Sequence, residues 1–209
     1  MDVTMEKKIK HYSNYHKTLL VGEGDFSFAL CLANAFGSAS NMVATSLDSK
    51  ESLIRNYSRA STNLNELENL GCTVVHEVDA HIMDTHHLLY LEFFDRIVYN
   101  FPHAGFLFPE RNPFQIWYHQ YVVRGFFNSA RKMLRYGGEI HVTHKKGQPF
   151  CSWEIVKLAE EVGLFLVEEV PFYIWDYPGY INKRGSGNKC DESFTVGACS
   201  TFKFSARSF

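Results

Sequence analysis

A chain of 209 residues with a net charge of −2 has length for one domain with a full core, and it carries no global basic field of the kind that marks many nucleic-acid binders. Its five cysteines are odd in number and without CxxC spacing, so they read as reduced thiols of a cytosolic or nuclear protein. No signal peptide or membrane-length apolar run is visible, so the sequence predicts a soluble intracellular protein whose 18 Phe build both a core and a cleft.

Residues 1–16 form a polar, mildly basic arm, and 17–209 a single domain. The apolar run Thr18 to Val21 predicts a buried central strand. It stops at Gly22-Glu23-Gly24-Asp25, and a helical pattern (Phe28, Leu32, Ala35) follows at once and ends at Gly37. Two glycines permit a tight turn and close approach of the backbone to a ligand. Asp25 or Ser27 supplies a cap for the first free N–H groups of the helix. Strand, glycine turn and helix make a cradle for a nucleotide-like cofactor. The two acids in the turn repel a pyrophosphate and suit a positive or neutral group, such as the sulfonium and amino groups of S-adenosylmethionine; a tight turn with no ligand is the alternative.

Asn41 to Leu47 reads as a second strand, closing on Asp48, 26 residues beyond Gly22. A carboxylate there can accept from both ribose hydroxyls, or Asp48 or Ser49 can cap the next helix. That helix is expected over Lys50 to Leu70. Thr73 to Val78 is a third strand ending at Asp79, which either accepts from an adenine amino group or forms a turn before His81. A short helix is expected over Asp84 to Leu91. His86 and His87 are adjacent and cannot chelate together, and His141 and His144 fall on opposite faces of a strand, so no metal site is expected.

Arg96 to Tyr99 is a fourth strand running into Asn100-Phe101-Pro102-His103, placed beside the first strand and opening onto the same crevice. An amide, a stiff proline and a planar side chain at that edge suit a nucleobase. Phe106, Leu107 and Phe108 follow in a loop that is either a lid or packed on the next helix. That helix, Phe114 to Tyr136, is expected to turn Phe114, Trp117, Tyr121 and Phe127 inward. A fifth strand, Glu139 to Thr143, delivers His144, Lys145 and Lys146 to the same edge. A helix from Ser152 to Gly163, a strand from Leu164 to Val170 and a final alternating strand from Phe194 to Phe204 complete the order. The loop Asn182 to Asp191 carries Lys183 and Arg184, either for unpaired nucleotides or as a solvated connection.

The alternation predicts an α/β fold with a mostly parallel sheet, helices on both faces and an antiparallel last strand. LLVGEGDFSFALCLA, ATSLDS, VDA, FDRIVYNFPHAG, GGEIHVTHK and PGYINKRG resemble the Rossmann-like domain of the 25S rRNA (uridine-N3)-methyltransferase-like family over about Lys17 to Phe204. The resemblance implies a class I methyltransferase fold with a seven-stranded sheet, S-adenosylmethionine as cofactor, RNA, and ribosomal RNA in particular, as partner, and a nuclear or nucleolar place. It implies a cofactor set of Gly22, Glu23, Gly24, Asp25, Phe26, Ser27, Asp48, Ser49, Asp79 and Asn100. Asn100, Pro102 and His103 then occupy the place of the Asn-Pro-Pro-aromatic motif of amino-methyltransferases, from which Phe101 and His103 depart.

Uridine N3 carries a proton and is a poor nucleophile until it leaves. His103 is the expected base, Asn100 orients the ring, and Lys145 opposes charge on the carbonyl oxygens. Phe101, Phe106, Lys146, Lys183 and Arg184 are the expected RNA contacts. Two readings compete: an RNA-binding module with a degenerate pocket, and a nicotinamide-dependent oxidoreductase, which the paired acids and the missing third glycine disfavour.

Overall fold

The computed structural model describes residues 5–207, so the first four residues of the arm lie outside the described residues. A short hairpin, β1 (Lys8–Ile9) and β2 (Tyr12–Ser13), precedes a seven-stranded sheet. The sheet strands are β3 (Thr18–Val21), β4 (Met42–Thr45), β5 (Thr73–Val75), β6 (Phe94–Asn100), β7 (Leu134–Lys145), β8 (Leu164–Pro171) and β9 (Cys199–Ala206). Their order is β5-β4-β3-β6-β7-β9-β8. β9 runs antiparallel to both neighbours, while β5, β4, β3, β6 and β7 pair in parallel. The expected α/β architecture with an antiparallel last strand is what the chain adopts.

Helices α1 (Ser27–Phe36), α2 (Lys50–Asn56) and α3 (Ala60–Asn69) serve one half of the chain, and α4 (Pro113–Lys132) and α5 (Ile155–Glu161) the other. Leu20 and Val98 pack with α1 and α3 in one core cluster. Leu19, Val21 and Ile97 pack with α4 and α5 in a second. This division follows from the two-residue period of a strand buried on both sides. The strand order reverses between β3 and β6, so a crevice opens at their C-terminal ends, where Gly22 and Asn100 emerge.

Several expectations need correction. The helix expected to reach Tyr136 ends at Lys132, with β7 already begun at Leu134 and not at Glu139, and the helix expected from Ser152 is a 3-10 turn at Phe150–Trp153 followed by α5. The helix over 50–70 is two helices, because Tyr57 turns extended (φ −127°, ψ 116°) and the carboxylate of Asp191 takes the Ser58 N–H at 3.1 Å and the Ser58 hydroxyl at 2.7 Å. The helix over 84–91 is only a 3-10 turn at Met83–Thr85. The last strand begins at Cys199, not Phe194. On α4 the inner face is Gln115, His119, Val123, Phe126 and Phe127, whereas Phe114, Trp117 and Tyr121 are more than half exposed. Phe127 faces inward as expected, but toward the N-terminal end aromatic spacing picked the wrong side of that helix, because a buried Gln and His hold a loop there.

Candidate active site

The turn after β3 is built around a steric demand. Gly22 has φ +66°, and a Cβ on it would lie 2.5 Å from the Tyr99 ring, so only glycine fits. At Gly24 an added Cβ would meet Lys183 and Tyr57 at 3.4 and 3.5 Å, taking space from the crevice without a clash. The Glu23 N–H donates to the carbonyl of Thr45 at 2.8 Å, tying the turn to the end of β4. Both acids then serve the free N–H groups of α1: Asp25 Oδ1 accepts from Ser27 N at 3.0 Å and Glu23 Oε2 from Ala29 N at 3.1 Å. The Asn63 amide on α3 donates to the Asp25 carbonyl at 2.6 Å.

Burial is the main force on Glu23, pushing its carboxyl up to about 8, with Asp25 adding repulsion and the Ala29 N–H opposing. The notch therefore carries less charge at neutral pH than its sequence suggests. Asp25 Oδ2 has no hydrogen-bond donor; the nearest cation is Lys183 Nζ at 3.7 Å, itself held at 2.6 Å by Asp191.

Above this turn lies a cavity of about 180 Å³ whose walls include Gly22, Asp25, Asp48, Asn100, Tyr180 and Lys183. The Asp48 backbone is tied to Ser46 Oγ and Glu77 N, but its carboxylate makes no hydrogen bond or ion pair among the described residues, and it raises the neighbouring Tyr57 hydroxyl's pKa after burial does. Asn100 is the clearest signal of a ligand. Both its amide nitrogen and its amide oxygen are buried without a partner, an arrangement that proteins avoid unless something else completes it. Unpaired acceptors, one paired donor–acceptor amide and a glycine floor fit a cationic ligand bearing hydroxyl and amino groups.

Other expected cofactor residues take different positions. Phe26 is buried, adopts a left-handed conformation (φ 62°) ahead of α1, and lies outside the cavity walls. Ser27 Oγ accepts from Ile181 N at 3.0 Å and donates to Ile181 O at 3.2 Å, binding the turn to the 180s loop. Ser49 is spent on the N-terminus of α2, accepting from Ser52 N at 3.2 Å. Asp79 is exposed, and its Oδ1 accepts from His81 N at 2.9 Å. It acts on the cavity through Tyr99, whose hydroxyl is pushed up to about 12 by burial and then by this charge.

A second cavity of about 90 Å³ adjoins the first, sharing Phe101 and His103. Its walls also include Pro102, Phe106, Lys145 and Trp153. Lys145 Nζ sits 5.0 Å from the Phe150 ring centre and 4.6 Å from that of Phe194. Burial lowers its pKa, with Glu110 opposing. Arg184 belongs to this cavity, Lys183 to the first, and Lys146 to neither, being paired with Glu169 at 2.7 Å.

His103 stacks on Phe106 at 5.2 Å, and its Nδ1 accepts from Gly105 N at 3.0 Å. Burial lowers its pKa. With Nδ1 so engaged, the neutral ring carries its proton on Nε2, and the lone pair a base needs is already in use. The loop behind it is clasped from α4. Gln115 Nε2 donates to Gly105 O at 2.7 Å, its Oε1 accepts from Phe108 N at 2.9 Å, and His119 Nδ1 accepts from Ala104 N at 3.0 Å. Burial holds His119 down to about 4, so it stays neutral and keeps that acceptor, while its ring stacks on Trp153 at 4.0 Å. Phe101, like Phe26, is a non-glycine residue at positive φ (51°), and such strain collects at ligand sites.

Sequence reasoning missed Tyr57, Asn63, Gln115, His119, Trp153, Tyr180 and Phe194. Only Gln115 and His119 left a trace, as polar residues one helical turn apart directly after the loop they hold. Among the described residues no group of three His, Cys, Asp or Glu side chains can hold a metal ion, and no helix is long and apolar enough to cross a membrane.

Comparison with known proteins gives the chain's family and its fold relatives. Residues 19–184 match the family model described as BMT5-like, rRNA (uridine-N3-)-methyltransferase. An Arabidopsis thaliana protein, At4g26485, is 52% identical, covering 95% of this chain and 97% of its own. The heavy metal-associated isoprenylated plant protein 41 of the same plant is 50% identical over 94% of this chain, which spans only 38% of that protein. The 25S rRNA (uridine(2634)-N(3))-methyltransferase of Saccharomyces cerevisiae is 24% identical, covering 85% of this chain and 68% of its own. Among solved structures, N-methyltransferase NodS from Bradyrhizobium japonicum WM9 in complex with S-adenosyl-l-homocysteine superposes with a TM-score of 0.51 at 16% identity, over 90% of this chain and 76% of that one. That likeness is one of fold.

Proposed function

This chain belongs to the BMT5-like family of rRNA (uridine-N3-)-methyltransferases, and from that premise we propose that it transfers a methyl group from S-adenosylmethionine to N3 of a uridine in large-subunit ribosomal RNA, in the nucleus or nucleolus. The observation that carries the reading is the first cavity: at the strand-order reversal it gathers Asp25, Asp48 and an Asn100 amide with two unsatisfied atoms. Asp48 is the partner for ribose hydroxyls. Asp25 Oδ2 is the partner for the amino group, and Gly22 and Gly24 let the backbone come close. S-adenosylmethionine, when bound, supplies the electrophilic methyl group.

What this chain adds is position and exclusion of water. Phe101 and His103 form the boundary between donor and acceptor, and Asn100, on the wall of the first cavity, keeps its amide donor and acceptor for the methyl donor. His103 is a positioning wall in this arrangement; to act as the base it must first release the Gly105 N–H. The alternative reading, a binding module with a degenerate pocket, gives a different result in one experiment. The protein is incubated with isotopically labelled S-adenosylmethionine and unmodified large-subunit rRNA transcript, and the nucleosides are resolved by mass spectrometry. Labelled 3-methyluridine is expected. Binding of RNA with no label in any nucleoside contradicts the proposal.

A further inference from the structure

We propose that the second cavity seats the methyl-accepting base, that it selects a uracil turned out of its strand, and that Lys145 is the residue that makes the uracil N3 reactive. This rests on the methyltransferase reading and adds the place of the substrate and the group that recognises it. Four observations lead there. The cavity adjoins the first along Phe101 and His103, so an occupant lies beside the methyl donor's seat. Its walls are mostly rings, which suits a flat ligand. At about 90 Å³ it has half the room of the first cavity, which favours a one-ring base over a purine. Lys145 enters it between the Phe150 and Phe194 rings and forms no salt bridge among the described residues, Glu110 being the carboxylate in the cavity wall.

The charge on Lys145 decides between pyrimidines. An ammonium only donates, so it matches a ring edge that presents carbonyl oxygens. Uracil shows two carbonyls flanking N3 and becomes an anion when N3 loses its proton. Cytosine shows an amino group, another donor, beside an N3 that has no proton to lose. Arg184, also at this cavity and 3.5 Å from Glu192, adds to the same preference. In the reaction the N3 proton passes to water at the cavity mouth. The electron pair left on N3 forms the new N–C bond to the methyl carbon, and the carbon–sulfur bond breaks with its pair returning to sulfur. The sulfonium becomes a neutral thioether, and 3-methyluridine is neutral as well. Lys145 opposes the ring's negative charge before transfer and loses that partner after it, which favours release.

The test uses the whole chain with S-adenosylhomocysteine and unmodified large-subunit rRNA transcript. Lys145→Met keeps most of the stem between the two rings and removes the charge; Lys157→Met, an exposed change on α5, is the control. Each protein is titrated with S-adenosylhomocysteine, which also reports folding, and a separate sample free of it is assayed under single turnover with isotopically labelled S-adenosylmethionine, the nucleosides being identified. Lys145→Met is expected to bind S-adenosylhomocysteine within twofold of the wild type while its transfer rate falls about 10²–10³-fold. Phe194→Leu, with the charge kept and one ring removed, is expected to weaken RNA use with a smaller loss of rate. A Lys145→Met rate within threefold of the wild type, or label on cytidine or a purine, overturns this inference while leaving the methyltransferase reading in place. A wild type that binds no S-adenosylhomocysteine overturns that reading itself, and this inference with it.

Discussion

The two cavities share two side chains and little else. The first is lined by Glu23, Asp25 and Asp48, glycine backbone, an amide with unmet hydrogen bonds and one lysine, Lys183, that Asp191 already holds; the second by aromatic rings, Lys145, Arg184 and a single acid, Glu110. A cationic methyl donor is at home in the first and repelled by the second, and an electron-rich base is the reverse. Separation of the reactants by charge, with only Phe101 and His103 between them, lets one crevice bind both without exchanging their places. Each half is also held differently. The first cavity's turn is held by glycine sterics, by its own carboxylates on the N–H groups of α1 and by Asn63 of α3, the second cavity's loop by side chains reaching up from α4.

That difference can be broken at either side. Gly22→Val is the most severe change, since it drives a side chain into the Tyr99 ring at a left-handed position. A loss of ~2–4 kcal/mol is expected, together with loss of measurable S-adenosylhomocysteine binding by calorimetry. Gln115→Ala removes two hydrogen bonds to the loop and leaves the Gly105 carbonyl and the Phe108 N–H unmet, at ~2 kcal/mol. Thermal denaturation should show a fall of ~4–8 °C, and RNA use should suffer while S-adenosylhomocysteine affinity holds within about threefold.

Asn100→Leu sharpens the contrast because its two effects have opposite signs. Removing two unsatisfied buried polar atoms should raise the melting temperature of the ligand-free protein by a few degrees, on the order of 1 kcal/mol. The same change should weaken S-adenosylhomocysteine binding by about tenfold.

Glu23 gives a pH dependence. Its folded value, about 8, lies above the ordinary glutamate value of 4.5, so folding takes up a proton between them. The stability it contributes is full below 4.5 and is lost as pH climbs through 8. A cationic ligand prefers the ionised form. The affinity for S-adenosylmethionine relative to its neutral thioether product should therefore rise from pH 6 to 8, by at most about tenfold per unit, and Glu23→Gln should flatten it. Trp117→Ser, on the exposed side of the helix that carries Gln115, should move the melting temperature by no more than about 1 °C.

The fold was legible because apolar runs ended by glycine or an acid mark parallel strands, and the strand-end residues Gly22, Asp48 and Asn100 followed from it. The pieces that arrive from afar were not. Asp191 breaks a helix more than 130 residues earlier in the chain, and Tyr180 and Lys183 close over a turn that precedes them by a similar distance. No local pattern in the 180s says which cavity that loop will wall. On α4, burial of Gln115 and His119 is decided by the loop's backbone groups, which hydrophobic periodicity does not register.

The most direct test of the account is a crystal structure of the complex with S-adenosylhomocysteine. The ligand is expected in the first cavity, with its ribose at Asp48, its amino group at Asp25, and its sulfur facing the Phe101–His103 boundary. A ligand seated among the rings of the second cavity, or an Asn100 amide left without a partner in the complex, would contradict it.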